Sequence, residues 1–166
     1  MNKGGKAMDI KKKLNLPYVG INSFMKKPIC NDLNELDAHV AIIGVPYDMG
    51  TQYRSGTKSG PEAIREGSKL IAYTNDDGIY DHEKDDVYLH SRWKIVDCGD
   101  VDMVHGDLNK CFENIEADIR KIVEKNAIPV VMGGDHSITI PVARGLEEAG
   151  PFCVVHIDAH LDWADN

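Results

Sequence analysis

Four short apolar runs constrain the fold of this chain more than any other feature. HVAIIGV (residues 39–45), WKIVDCGDV (93–101), IPVVMGG (128–134) and FCVVHIDAH (152–160) are rich in β-branched residues and nearly continuous in apolar character. A strand with one wet face alternates apolar and polar residues. A continuous run is expected where both faces are covered, as in a parallel sheet. The runs end at Gly44 and Pro46, at Gly99, at Gly133 and Gly134, and in a polar cluster, respectively.

Helical patterns lie between them. Leu108, Phe112, Ile115, Ile119 and Ile122 recur at i, i+3/i+4 spacing and predict one buried stripe, with Asp107 as its N-cap. PEAIREGSKLIAY places Pro61 at a first helical position. SITIPVARGLEEAG reads as a further helix, closed by Gly150 and Pro151. Residues 74–92 are charged and without period, so a surface loop is expected there. Strand alternating with helix is the signature of βαβ units around a parallel sheet, an α/β fold. Ligands bind such sheets at the carboxyl ends of their strands.

The 166 residues suffice for one domain with a core. The net charge of -8 argues against a nucleic-acid partner, which is gripped by Lys and Arg, and is compatible with a cationic substrate. The four cysteines, Cys30, Cys98, Cys111 and Cys153, show neither a C-x-x-C pair nor zinc-finger spacing. They read as small buried thiols in a reducing cytoplasm. No segment approaches the ~20 apolar residues needed to span a bilayer. The basic N-terminus, MNKGGKAMDIKKKLN, has no apolar stretch behind it and reads as a solvated tail.

Two polar clusters fall at predicted strand ends: MGGDHS (132–137) and HIDAHLDWAD (156–165). Asp158 and His160 are two apart on a strand, so they share a face. Asp162 lies two further on, and His136 ends another strand. Two carboxylates and two imidazoles suit Mn, Fe or Zn better than Ca or Mg. The alternative is plainer: a buried His or Asp is usually just hydrogen-bonded, and D-x-H-x-D can serve as a turn cluster. Two such clusters favour the metal, because burying so many carboxylates without a cation is costly. His39, His82, His90 and His105 read as surface, strand-end or loop histidines, and Trp163 and Asp165 as lining either a substrate mouth or a surface turn.

GGDHS followed by DAHLD resembles the ureohydrolase family: arginases, agmatinases, guanidinobutyrases and formiminoglutamases. GVPYDMGTQYRSGTKSGPEAIRE (44–66) and DCGDV (97–101) resemble that family's other elements in the same order. The resemblance covers about residues 38–166, with residues 1–37 as a tail and lead-in. It implies a three-layer α/β/α fold with a mainly parallel sheet, and a centre of two Mn(II) ions. His136 and Asp162 would hold the deeper ion and His160 the other, with Asp158 bridging the two. A hydroxide shared by the ions would attack the guanidinium carbon, giving urea and an amine. His156 would stand behind the ligands. Asp135 would fix local backbone or a ligand imidazole, and the paired glycines would permit close backbone approach.

In that family, two further aspartates, a proton-shuttling His and a substrate-orienting Glu lie downstream of DAHxD. The chain thus reads as the N-terminal half of a ureohydrolase, with no catalytic residue of its own before Asn166. HSITIP resembles the agmatinase branch, and Ala164 stands where arginases usually carry Asn, so agmatine is the expected substrate. Guanidinobutyrate, arginine and formiminoglutamate are the alternatives, as is a non-catalytic truncated homologue. The resemblance further implies a cytoplasmic trimer or hexamer.

Overall fold

The computed structural model describes residues 18–72, 79–88, 93–160 and 162. In chain order its elements are β1 (Val40–Val45), α1 (Gly60–Ser68), β2 (Ile79–Asp81), β3 (Asp86–Tyr88), β4 (Ile95–Asp100), α2 (Leu108–Glu124), β5 (Ile128–Gly133) and α3 (Thr139–Gly145). Short 3-10 turns precede α3 at His136–Ile138 and follow it at Glu147–Ala149. β1, β4 and β5 form a parallel sheet in the order β4-β1-β5. Three of the four predicted strands are therefore present. The fold is the α/β fold expected, with helices packed on a parallel sheet.

The sheet forms because β1 is apolar on both faces. Its Ala41, Ile43 and Val45 are essentially inaccessible and pack with Cys111, Ile115, Ile119 and Ile122 of α2. Cys111 takes the place in this stripe expected of Leu108, which is the first residue of α2 and is exposed. Asp107 caps α2 as predicted, accepting from the Lys110 N–H at 2.9 Å. α3 lies close on α2: a Cβ added at Gly145 would stand 2.7 Å from Ile119 Cβ. On the other face of the sheet Val40, Ile42, Ile95, Val130 and Met132 line an apolar groove of about 240 Å³, roofed only in part by Phe24 and Met25.

Residues 22–36 pack along the edge of this sheet. Ser23, Met25 and Leu36 are buried, and Ile29 forms a single parallel bridge to Asp97 on the outer side of β4. The same region holds a buried ion pair. Arg65 of α1 donates to Asp97 from Nε at 2.8 Å and from Nη2 at 2.9 Å, and to Asp100 from Nη1 at 2.6 Å. Asp97 also accepts from the Phe24 N–H at 2.7 Å. One carboxylate thus ties α1, β4 and the lead-in together.

The fourth predicted strand is not formed. Residues 151–158 have no regular structure, and Phe152, Val154, Val155 and Ile157 are exposed, Ile157 at 93%. A strand exists only when a neighbour takes up its backbone hydrogen bonds. Among the described residues none pairs with this run, so its apolar sequence has no sheet to join. Within 74–92, expected to be loop, β2 and β3 make a short antiparallel hairpin, Ile79 opposite Tyr88. Of the four cysteines only Cys111 is buried: Cys30 and Cys98 are half-buried and Cys153 is exposed. The expectation of four buried thiols was too broad, because Cys153 lies in the unpaired run. The basic tail up to residue 17, His90, Trp163, Ala164 and Asp165 lie outside the described residues.

Candidate metal centre

β1 and β5 end level with each other, Val45 opposite Gly133. That register sets two loops side by side at the carboxyl edge. The Asp135 N–H donates to Tyr47 O at 2.8 Å, and the Gly134 N–H to Thr57 O at 3.3 Å. Gly134 has φ +81°, and a Cβ there would stand 2.5 Å from Val45 O, so the close approach requires glycine. The Asp135 carboxylate fixes this edge. It accepts from the Gly50 N–H at 2.6 Å, from the Ser137 N–H at 2.9 Å and from the Ser137 hydroxyl. His136 is thereby held at the start of the 3-10 turn, immediately beyond the strand.

Three of the four expected site residues converge on one point. His136 Nδ1 lies 2.6 Å from Asp162 Oδ2 and 3.5 Å from Asp158 Oδ2. The fourth member of the group is His156, whose Nε2 is 3.7 Å from Asp158 Oδ2. His136, His156, Asp158 and Asp162 each offer a donor atom within 4.8 Å of the others. His160 is not in that group. Its Nδ1 lies 3.6 Å from the other oxygen of Asp158, Oδ1, which also accepts the His160 N–H at 2.9 Å. The signal for His156 was in the sequence: it shares the period-2 face of Asp158 and His160.

The Asp158 carboxylate is thus two-sided, with Oδ2 toward His136 and His156 and Oδ1 toward His160. Its pKa is held below the usual carboxylate range, first by the His160 N–H bond and then by the three imidazoles. The cluster is not buried: Asp158 is 30% exposed, His136 49% and His160 84%. The argument from the cost of burying carboxylates therefore does not apply to this geometry. What is compatible with an ion is the donor set itself, two carboxylates and two imidazoles each offering an atom within 4.8 Å of the others. An open cleft of about 470 Å³ leads to it, lined by Ser137, Thr139, Ile140 and Val154 beside the cluster.

The chain is thus an α/β protein with a His–Asp cluster at the carboxyl edge of its sheet, and comparison with known proteins narrows the class. The sequence profile of the Arginase family matches residues 38–166. The chain belongs to the arginase family. It is 36% identical over 149 residues to proclavaminate amidinohydrolase of Streptomyces clavuligerus, covering 87% of this chain and 44% of that protein. It is 35% identical over 144 residues to an agmatinase of Photorhabdus laumondii, covering 86% of this chain and 45% of that protein. Among solved structures, a hypothetical agmatinase from Burkholderia thailandensis superposes with a TM-score of 0.75 at 31% identity, over 90% of this chain and 46% of that one. The Streptomyces clavuligerus enzyme superposes with a TM-score of 0.72 at 35% identity, over 88% and 46%. The chain spans under half the length of the relatives it matches.

Proposed function

We propose that this chain is the amino-terminal part of a single-domain ureohydrolase (residues 38–166, behind a lead-in of 1–37) that hydrolyses a small guanidino compound to urea and an amine. Membership of the arginase family supports the hydrolysis of amidino C–N bonds. The observation that carries the metal reading is the two-sided carboxylate of Asp158 between His136 and His160. His136 and Asp162 would hold one Mn(II), His160 the other, and Asp158 both. When bound, the ions supply Lewis acidity and a nucleophile at neutral pH.

The chain's own residues do the positioning. Asp135 fixes the turn that presents His136. Asp162 and Asp158 flank the His136 ring, their Oδ2 atoms 2.6 and 3.5 Å from Nδ1. The open cleft beside Thr139 and Ile140 admits a slender substrate. HSITIP, Ala164 and the agmatinases among the relatives favour agmatine over arginine. Guanidinobutyrate is the nearest alternative. A cytoplasmic trimer or hexamer goes with the same reading.

Urea release tests it, measured on this chain and on the complete gene product, with Mn(II) and with chelator. The complete protein should turn over agmatine faster than arginine and lose activity to chelator. This chain alone should bind metal weakly and release essentially no urea, since its four expected ligands leave neither ion fully coordinated. Turnover that survives chelation would remove the metal from the reading, and arginine preferred over agmatine would remove the substrate.

A further inference from the structure

Away from the His–Asp cluster, the bridge between the lead-in and β4 brings two cysteines together. The Asp97 N–H donates to Pro28 O and the Cys30 N–H to Asp97 O, both at 2.9 Å. These two bonds make Ile29 and Asp97 partners in a parallel bridge. The residues one further along each strand are Cys30 and Cys98. The β4 register slips just beyond Asp97, and at that slip the Cys30 and Cys98 side chains are hydrogen-bonding neighbours. Adjacent strands lie about 4.7–4.9 Å apart, inside the span of about 4.4–6.8 Å between Cα atoms that a disulfide bridges.

Their surroundings differ. Cys98 lines a cavity of about 250 Å³ with Asp100, Asp102 and Asp118. Burial first, then Cys30 beside it, then the charge of Asp97 push the Cys98 thiol up to about 12. Cys98 is therefore protonated and inert as a first nucleophile. Cys30 opens instead on a groove of about 490 Å³ shared with Pro28, Asp32 and Lys94. Its Sγ also makes a weak bond to Asp32 O at 3.3 Å. Neither thiol touches the His–Asp cluster, so the pair is spare to the proposed hydrolysis.

We propose that Cys30 and Cys98 form an oxidisable dithiol site, closed to a disulfide by a peroxide, that staples the lead-in to the edge strand β4. The Cys30 thiolate attacks one peroxide oxygen. The S–O bond forms, the O–O bond breaks, and the leaving hydroxide is protonated to water. Cys98 sulfur then attacks the Cys30 sulfenic acid. The S–S bond forms, the S–O bond breaks, and the departing hydroxide takes up the Cys98 proton as a second water. Two thiols are oxidised and one peroxide is reduced. The product locks residues 28–30 beside Asp97, the carboxylate that holds Arg65.

The test needs only the native chain, hydrogen peroxide and differential alkylation. After oxidation the number of free thiols should fall from four to two. Peptide mapping should find Cys30 joined to Cys98, with Cys111 and Cys153 still alkylated after unfolding, and dithiothreitol should restore all four. Cys30→Ser should abolish the link while Cys153→Ser leaves it intact. A sulfinic acid on Cys30 with Cys98 still a free thiol would overturn the proposal. So would a cross-link running through Cys111, or one through Cys153 to a second molecule.

Discussion

Arg65 grips Asp97 with two nearly parallel hydrogen bonds, at 2.8 and 2.9 Å, where Arg65 is 6% and Asp97 1% exposed. Burial alone would make the guanidinium easier to deprotonate. The bonds and charges of Asp97 and then Asp100 outweigh it, and the net shift is upward. Removing one member strands the other's charge away from water. Arg65→Met is therefore expected to cost about 3–5 kcal/mol, the usual range for breaking a buried pair. Arg65→Lys should recover little of it, because an ammonium cannot make the fork. Urea denaturation of the three proteins measures this, and a loss under about 1 kcal/mol for the Met variant would contradict it.

Asp107 is a smaller contributor of a different kind. Its carboxylate satisfies the Lys110 N–H in the first turn of α2. Asp107→Ala should cost about 1 kcal/mol, and Asp107→Asn much less, since Asn caps as well. Thermal melts of both variants check the order.

What was legible in the sequence followed from local chemistry. Three strands, the N-cap Asp107, the helix start at Pro61 and the convergence of His136 with Asp158 could be read from apolar runs, caps and period-2 spacing. What failed depended on partners remote in sequence. FCVVHIDAH has the composition of a covered strand, but a strand is a pairing, and composition does not supply a neighbour. The hairpin of β2 and β3 was missed because its three-residue strands are too short to show a period. The Arg65–Asp97 pair was invisible for the same reason as the Cys30–Cys98 pair: both depend on which element packs beside β4.

Asp118 gives a pH-dependent expectation. Burial, and then the neighbouring charge of Asp102, raise its pKa above the ordinary value; Lys121 only partly opposes them. A carboxyl whose folded pKa is raised binds its proton more tightly folded than unfolded. Stability from this group is thus present at low pH and is lost as pH rises from the ordinary carboxylate pKa, about 4, through the folded value. Above that window Asp118 is a net cost. Asp118→Asn should raise the melting temperature at pH 7 and change it little at about pH 3. A gain of equal size at both pH values would show that something other than titration is at work.

The His–Asp cluster yields the sharpest expectation, because geometry and family pattern rank two histidines differently. In the structure, His156 stands within reach of His136, Asp158 and Asp162, whereas His160 lies 3.6 Å from Asp158 Oδ1. The family pattern assigns the ligand role to His160. On a strand both would project from one face with Asp158, two residues to either side. Among the described residues nothing pairs with this run to enforce that alternation, and the His160 side chain is 84% exposed. His156 and His136 both face Asp158 Oδ2, and His160 faces the other oxygen, Oδ1, so His160 and His136 would be the pair to hold ions on the two sides of that carboxylate. Mn(II) binding to the chain, followed by the loss of the free-ion paramagnetic resonance signal, separates the two. His136→Ala and Asp158→Asn should each weaken binding at least about tenfold, since even an outer partner of a ligand costs about 10–100-fold. His160→Ala should weaken it more than His156→Ala. The reverse order would transfer the ligand role to His156, and no change in any of the four would mean that the cluster holds no ion.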